Sequence, residues 1–159
     1  MIKLLVLPLL CSAVLSGDSD TAEAPSGKDA QAILAIERGA FERWAKGDPS
    51  GFLEASDPAV DYFDPFLENK LEGLDALRAL YNPLRGQVQI DRWEMVRPRV
   101  LVEGNMGVLT FQFVSHSKGH TEKWNTTEVY RRKNGRWKII HTHWSLTKPE
   151  LKNFPAAGM

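Results

Sequence analysis

The stretch Trp124–Ser145, which reads WNTTEVYRRKNGRWKIIHTHWS, constrains the fold of this chain more than any other. Its Asn134-Gly135 pair is typical of a two-residue hairpin turn, because the central residues of such a turn need positive φ. The flanking segments are rich in aromatic and β-branched residues, which indicates two antiparallel strands. Both faces of this hairpin carry such side chains. We therefore expect one face to line the core or a pocket and the other to form a partner surface.

A strict period of two assigns the hairpin side chains to these faces. In the first strand, the even-numbered residues from Trp124 to Tyr130 share one face. In the second strand, the odd-numbered residues from Trp137 to Ser145 are grouped against the even-numbered residues from Lys138 to Trp144. The face with Trp137 and its partners His141 and His143 is predicted to meet a partner subunit.

The N-terminal segment, residues 1–17, has the features of a secretory signal peptide. Leu4–Leu15 is an apolar run of about a dozen residues, shorter than the roughly 20 that a membrane span needs. Small and polar residues follow, so cleavage near Ser16 or Gly17 would leave an exported protein, periplasmic or extracellular. An apolar helix retained in the fold is the alternative.

The single cysteine, Cys11, lies inside this segment. Leu10 before it is unlike the small residue of a lipoprotein signal, which makes lipid anchoring the less favoured interpretation. The exported chain would then have no thiol or disulfide chemistry. Lysine plus arginine and aspartate plus glutamate number 20 each, so nothing indicates binding to nucleic acid. After cleavage, no part of the chain is expected to bind a membrane.

Hydrophobic periodicity predicts the rest of the domain. A polar linker at residues 18–27 precedes the globular part, residues 28–147, and a loose tail follows at residues 148–159. Helices are expected first, then a short strand pair near Val60, one more helix over Leu74–Asn82, and a four-strand antiparallel meander from Val88 onward. Separate helical and strand regions indicate an α+β fold. Pro98 should mark a bulge or an edge position in the first strand of the meander.

Glu37 interrupts the apolar stripe of the first predicted helix, between Ile33 and Phe41. Its carboxylate lies either at the edge of the buried face, where a long acid reaches solvent, or inside a cavity.

Several short motifs together resemble the nuclear transport factor 2-like superfamily, also called SnoaL-like. Within it, the chain is most similar to the association domain of calcium/calmodulin-dependent protein kinase II. The matching pieces, in chain order, are AKGD at Ala45–Asp48, SDP at Ser56–Pro58, YFDP at Tyr62–Pro65, LEGLD at Leu71–Asp75, TEVYRRKNGRWKIIH at Thr127–His141 and HWS at His143–Ser145. The resemblance spans Lys28 to Thr147.

The resemblance implies a cone, in which three N-terminal helices pack on a curved, mostly antiparallel sheet that dimerises through its outer face. In the kinase family such dimers build larger rings, and a deep cleft holds arginines. This chain has Glu128 and Trp144 where that family has arginine, so the cationic cleft is not carried over. Kinase catalytic motifs are absent from the sequence.

The same resemblance directs the Glu128 and Trp144 face into the cleft. The predicted ligand-binding residues are Tyr62, Trp124, Thr126, Tyr130, Thr142 and Trp144. Aromatic walls with a few polar groups suit a small, mostly apolar or sugar-like ligand. Glu128 and Asp64 are the candidate catalytic acids or bases, because a carboxyl in an apolar pocket can exchange protons near neutral pH. Alternatively, Glu128 forms a structural ion pair with Arg78, Lys138 or another base.

The sequence predicts no metal and no cofactor. His141 and His143 lie two residues apart, but a zinc site would need a third ligand, for which His116 or His120 could only be guessed.

Three functions remain open at this point. The first is an exported homodimer that binds a small molecule in its cone. The second is a cofactor-independent isomerase, dehydratase or cyclase that uses a pocket carboxylate. The third is an oligomerisation module, a dimer or a larger ring, without catalysis.

Overall fold

The computed structural model describes residues 27–147. The predicted signal segment with Cys11, nearly all of the linker and the C-terminal tail lie outside these residues. The elements are α1 (Lys28–Trp44), α2 (Ser50–Ala55), β1 (Ser56–Phe63), β2 (Leu71–Glu72), α3 (Leu74–Tyr81), a short 3-10 turn (Asn82–Leu84), β3 (Arg92–Glu103), β4 (Met106–Ser117), β5 (His120–Lys133) and β6 (Arg136–Leu146).

Six strands form one sheet in the order β2-β1-β6-β5-β4-β3. All neighbours are antiparallel except β1 and β6, which run parallel. The three helices pack on this curved, open sheet, so the predicted α+β class is confirmed. In the part of the chain that the structure describes, no helix is long and apolar enough to cross a membrane.

The predicted hairpin is formed by β5 and β6. Asn134 and Gly135 form its turn with φ values of 52° and 75°. Lys133 and Arg136 pair across it, so the loop has two residues. The positive φ at both central positions is the physical reason that Asn-Gly predicted this turn.

A bulge in β6 changes the faces of the second strand. Tyr130 pairs with Ile139, whereas the preceding Val129 pairs with His141, so Ile140 is an extra residue. One extra residue moves every following side chain to the opposite face. The strict period of two predicted for β6 is therefore wrong beyond this point.

Trp137 consequently lies in the core and not on the outer face with His141. Its side chain is buried, and its indole Nε1 donates a hydrogen bond to Asp29 Oδ1 at 3.2 Å. The Arg132 guanidinium lies over the Trp137 ring, 5.1 Å from the ring centroid. The prediction that Trp137 meets a partner subunit is corrected, because the bulge places it and Thr142 on the same side.

A second bulge interrupts β3 between Val96 and Arg99. Arg97 adopts φ 50° there, directly before Pro98. The predicted bulge at this proline is confirmed.

Helix α1 covers the concave face of the sheet. Phe41 stacks on Phe113 with ring centroids 4.3 Å apart and meets the ring of Phe52 edge-on at 5.0 Å. Gly51 permits the close contact of α2 with α1, since a Cβ there would lie 2.8 Å from the Ala40 Cα. These contacts fix the positions of the Phe41, Phe52 and Phe113 rings, which line the cavity described below.

Candidate ligand-binding and acid–base site

A cavity of about 480 Å³ opens between α1, α3 and the concave side of β4–β6. Nine of its lining residues are aromatic, five are aliphatic and five are polar or charged. Cavities of this size and character commonly hold small organic molecules.

The tryptophans Trp124 and Trp144 form one wall of this cavity. Their rings meet edge-on, with centroids 6.1 Å apart. Trp144 also contacts Phe113 at 5.8 Å, and Trp124 contacts Phe66 at the same distance. Phe66 is 75% exposed, so it stands at the rim. The wall therefore runs from the packed core to the cavity mouth.

Asp64 provides a fixed carboxylate in this cavity. The Tyr62 hydroxyl donates to Asp64 Oδ2 at 3.0 Å, and the Phe66 amide donates to Oδ1 at 2.7 Å. Strand β1 ends at Phe63, directly before Asp64 and Pro65. Burial raises the pKa of Tyr62, and the neighbouring Tyr81 and Asp64 raise it further. Tyr62 therefore remains protonated and acts as a hydrogen-bond donor.

The charged residues of the cavity lining, within residues 27–147, are the two acids Asp64 and Glu122. Lysine, arginine and histidine do not contribute to this described lining. The electrostatic character of the cavity is thus opposite to that of an arginine-containing cleft.

A separate group of acids is buried beneath this cavity. Tyr130 Oη lies 2.5 Å from Glu37 Oε2 and 3.0 Å from Glu128 Oε2. Thr142 donates to Glu128 Oε1 at 3.1 Å. Glu37, Glu128 and Tyr130 are each at most 1% exposed. We call these four residues the buried acid cluster.

The buried acid cluster holds an extra proton. The Tyr130 hydroxyl has a single proton and cannot donate to both glutamates at once. Burial raises the pKa of Glu37 well above its ordinary range, and the charge of Glu128 raises it further. Burial also raises the pKa of Glu128, against hydrogen bonds from Glu37, Tyr130 and Thr142 that lower it. Glu37 is therefore the carboxyl that keeps its proton.

The predicted site residues fall into two groups in space. Tyr62, Asp64, Trp124 and Trp144 line the cavity. The lining does not include Thr126, Glu128, Tyr130 and Thr142, which are buried behind it.

The alternative ion pair of Glu128 is not formed in the described part of the chain. Arg78 pairs with Asp75 at 2.7 Å, and the Lys138 ammonium donates to the Glu54 carbonyl. The residue that the sequence left undecided, Glu37, is the acidic neighbour of Glu128. Of its two possible placements, the solvent-reaching edge is wrong, since Glu37 is 0% exposed.

His141 and His143 lie on the outer face, where their rings are 5.8 and 5.7 Å from the ring of Phe63. Within residues 27–147 no group of three or more histidine, cysteine, aspartate or glutamate side chains is arranged to hold a metal ion.

The chain is similar to one protein family and to several solved structures. A model of the SnoaL-like domain matches residues 38–140. A solved structure from Parabacteroides distasonis, provisionally named a ketosteroid isomerase, is 47% identical, with a TM-score of 0.67 over 74% of this chain and 86% of that chain. Among curated proteins, none matches this chain at a significant level.

Two more distant structures share the fold alone. The calcium/calmodulin-dependent protein kinase II hub homology domain of Chlamydomonas reinhardtii is 23% identical, with a TM-score of 0.62 over 76% of this chain and 100% of that chain. A provisionally named dehydratase of the nuclear transport factor 2-like family from Streptomyces avermitilis is 18% identical, with a TM-score of 0.62 over 75% of this chain and 96% of that chain.

Proposed function

The chain belongs to the SnoaL-like domain family, as its motifs predicted, and from that premise we propose that it binds a small, largely apolar molecule in its cone-shaped cavity. The observation that carries this proposal is the aromatic cavity of about 480 Å³ with a fixed carboxylate, Asp64, in its wall. A ligand there would bury apolar surface against rings that are already packed in place, which lowers the ordering cost of binding.

Retention of a natural ligand tests this proposal. Native mass spectrometry of the protein purified without denaturation should show a bound small molecule, and a metabolite library should contain compounds that raise the melting temperature. Val88→Trp, which adds a ring inside the cavity, should abolish both effects. Ala79→Trp adds the same ring at an exposed position of α3 and should preserve them. Equal ligand binding by the two variants would contradict the proposal.

An acid–base enzyme is the second candidate function. The Parabacteroides relative, at 47% identity, is provisionally named a ketosteroid isomerase, and that chemistry needs a carboxylate that removes a proton next to a carbonyl. Asp64 is suited to this role, because it lines the cavity and Tyr62 and Phe66 hold its orientation. Glu128 is the weaker candidate, because it is 1% exposed behind the lining.

The enzymatic candidate is tested with a steroid that carries a 3-oxo group and an isolated double bond. Isomerisation to the conjugated ketone gives an ultraviolet signal. Asp64→Asn keeps an acceptor oxygen for Tyr62 but cannot take up a proton, so the rate should fall by about 100-fold or more. Asp75→Asn, at an exposed acid of α3, is the matched control. An absence of turnover in the unmodified protein, or full turnover in Asp64→Asn, would contradict this assignment.

Self-association through the outer face of the sheet is part of the same proposal. On that face, Phe63 and Leu101 are 40% and 55% exposed. Apolar side chains of this size at the surface favour burial against a second copy. Light scattering should give the mass of a dimer, and Leu101→Glu should shift it to that of a monomer. If the cavity variant Val88→Trp assembles normally while no ligand is found, a purely oligomerising module is favoured.

Export is proposed from the N-terminal sequence. Mass spectrometry of protein recovered from the periplasm or medium should show a chain that begins near residue 18. Intact protein confined to the cytoplasm would contradict export.

A further inference from the structure

The carboxylate of Asp64 is supported differently from those of Asp48 and Asp29. Asp48 pairs with two arginines, and Asp29 pairs with Arg132 at 2.8 Å. Asp64, in contrast, accepts its hydrogen bonds from a tyrosine hydroxyl and a backbone amide, which are both neutral. These bonds orient the Asp64 carboxylate without neutralising its charge.

The aromatic rings of the cavity stand next to this carboxylate. The Phe66 amide bonds to Asp64, and the Phe66 ring contacts Trp124 at 5.8 Å. Glu122 precedes Trp124 by two positions on β5, so the two side chains share a face of that strand. The two acids of the lining therefore flank the Trp124 end of the aromatic wall.

Aromatic faces carry a negative electrostatic potential and attract cations. Asp64 is partly buried among apolar side chains, where a carboxylate attracts a cation more strongly than it does in water, and Glu122 adds a second negative charge at the exposed edge. Anionic ligands meet the opposite situation, because no basic side chain of the described lining would offset their charge. The aromatic rings and the carboxylates of this cavity thus both favour a positively charged ligand.

We propose that the ligand of this cavity is an organic cation, an apolar or aromatic body that carries an ammonium group. The ammonium lies at the Trp124 end, between the rings and the carboxylates of Asp64 and Glu122, and the apolar body lies against Trp144 and Phe113. This inference rests on the proposed small-molecule binding and specifies the chemical class of its ligand.

Three indole compounds test the sign of the preferred charge on one molecular skeleton. They are tryptamine, which is cationic at pH 7, the neutral alcohol tryptophol, and the anion indole-3-propionate. Isothermal titration calorimetry with the purified chain should give at least about tenfold tighter binding of tryptamine than of tryptophol, or about 1.4 kcal/mol. Indole-3-propionate should bind most weakly. The advantage of tryptamine should shrink as sodium chloride is added, because salt screens the carboxylates.

Charge-neutralising variants identify the groups responsible. The double variant Asp64→Asn with Glu122→Gln should lose the preference and bind tryptamine no more tightly than tryptophol. Glu103→Gln removes one acid at the far end of β3 and should keep the preference for tryptamine.

Each remaining outcome overturns a defined claim. Equal affinity for the three probes, or tighter binding of the anion, would overturn the cationic ligand and leave small-molecule binding in place. A preference for tryptamine that survives in the double variant would overturn the role of the two carboxylates. An absence of binding by all three probes at millimolar concentration would overturn the organic-cation inference, whereas small-molecule binding is overturned separately by the retained-ligand and melting-temperature tests.

Discussion

Replacement of Glu37 by glutamine tests the proton that the buried acid cluster is inferred to hold. Glutamine has nearly the same shape as glutamate, and its amide oxygen can still accept the Tyr130 hydroxyl, which lies 2.5 Å away. Its amide nitrogen can donate to Glu128 in place of the carboxyl proton. The substitution therefore keeps the contacts of a protonated Glu37 and removes only its ability to ionise.

The sign of the effect follows from the raised pKa of Glu37. Well below pH 4.5, Glu37 is protonated in both the folded and the unfolded chain, and the substitution has little electrostatic consequence. Above that pH, the unfolded chain releases the proton while the folded chain retains it. The free energy of unfolding then falls as the pH rises, by about 1.4 kcal/mol per pH unit for one retained proton, until the folded pKa is passed. Glu37→Gln lacks this loss and should be more stable than the parent chain at neutral pH.

Urea denaturation followed by tryptophan fluorescence measures the difference directly. The unfolding free energies of the parent and Glu37→Gln should converge near pH 4.5 and separate towards pH 8. Glu42→Gln, at an exposed position of the same helix, is the matched control and should run parallel to the parent. The reasoning is refuted if Glu37→Gln also runs parallel, or if it is the less stable protein at pH 7, since either result means that Glu37 folds in its ionised form.

Three further predictions concern packing and pH dependence. Phe41→Ala, which removes the ring stacked on Phe113, should lower the unfolding free energy by about 3–5 kcal/mol in urea titrations, and a loss below about 1 kcal/mol would contradict the central role of this ring. Gly107→Ala places a Cβ 2.5 Å from the Ile33 Cδ1 and should cost about 1–3 kcal/mol. Ile33→Val removes that atom, so adding it to Gly107→Ala should recover part of the lost unfolding free energy. If the losses caused by the two single substitutions simply add in the double variant, the clash is refuted. Burial lowers the pKa of His141 below its ordinary 6.5, so stability should decline as the pH falls below 6.5, and His141→Gln should decline less steeply in the same titration.

The sequence predicted the fold well wherever one local rule decided the structure. Asn134-Gly135 required positive φ and gave the hairpin, and Pro98 marked the bulge of β3. The bulge at Ile140 had no such mark, because isoleucine fits a regular strand as well as a bulged one. Its position is decided by tertiary packing, which draws both Trp137 and Thr142 into the core.

The candidate site was predictable only in part, for a related reason. Period two correctly put Trp124, Glu128 and Tyr130 on the inner face of β5, but it could not say how deep each one lies. Depth depends on where α1 covers the sheet. The signal that could have found the buried acid cluster was Glu37 itself, an acid in the middle of an apolar stripe that needs a polar partner if it is buried.

The buried acid cluster fills a part of the interior that the cavity does not reach. The Tyr130 hydroxyl lies within hydrogen-bond distance of both Glu37 and Glu128, and these three side chains fill the space beneath α1. A protonated Glu37 and the Thr142 hydroxyl can satisfy Glu128 without any cation. The open volume is left at the other end, between Trp124, Trp144 and Asp64. The described lining of that cavity contains acids and aromatic rings and no basic side chain, so the two parts of the interior differ in how their acids are supported.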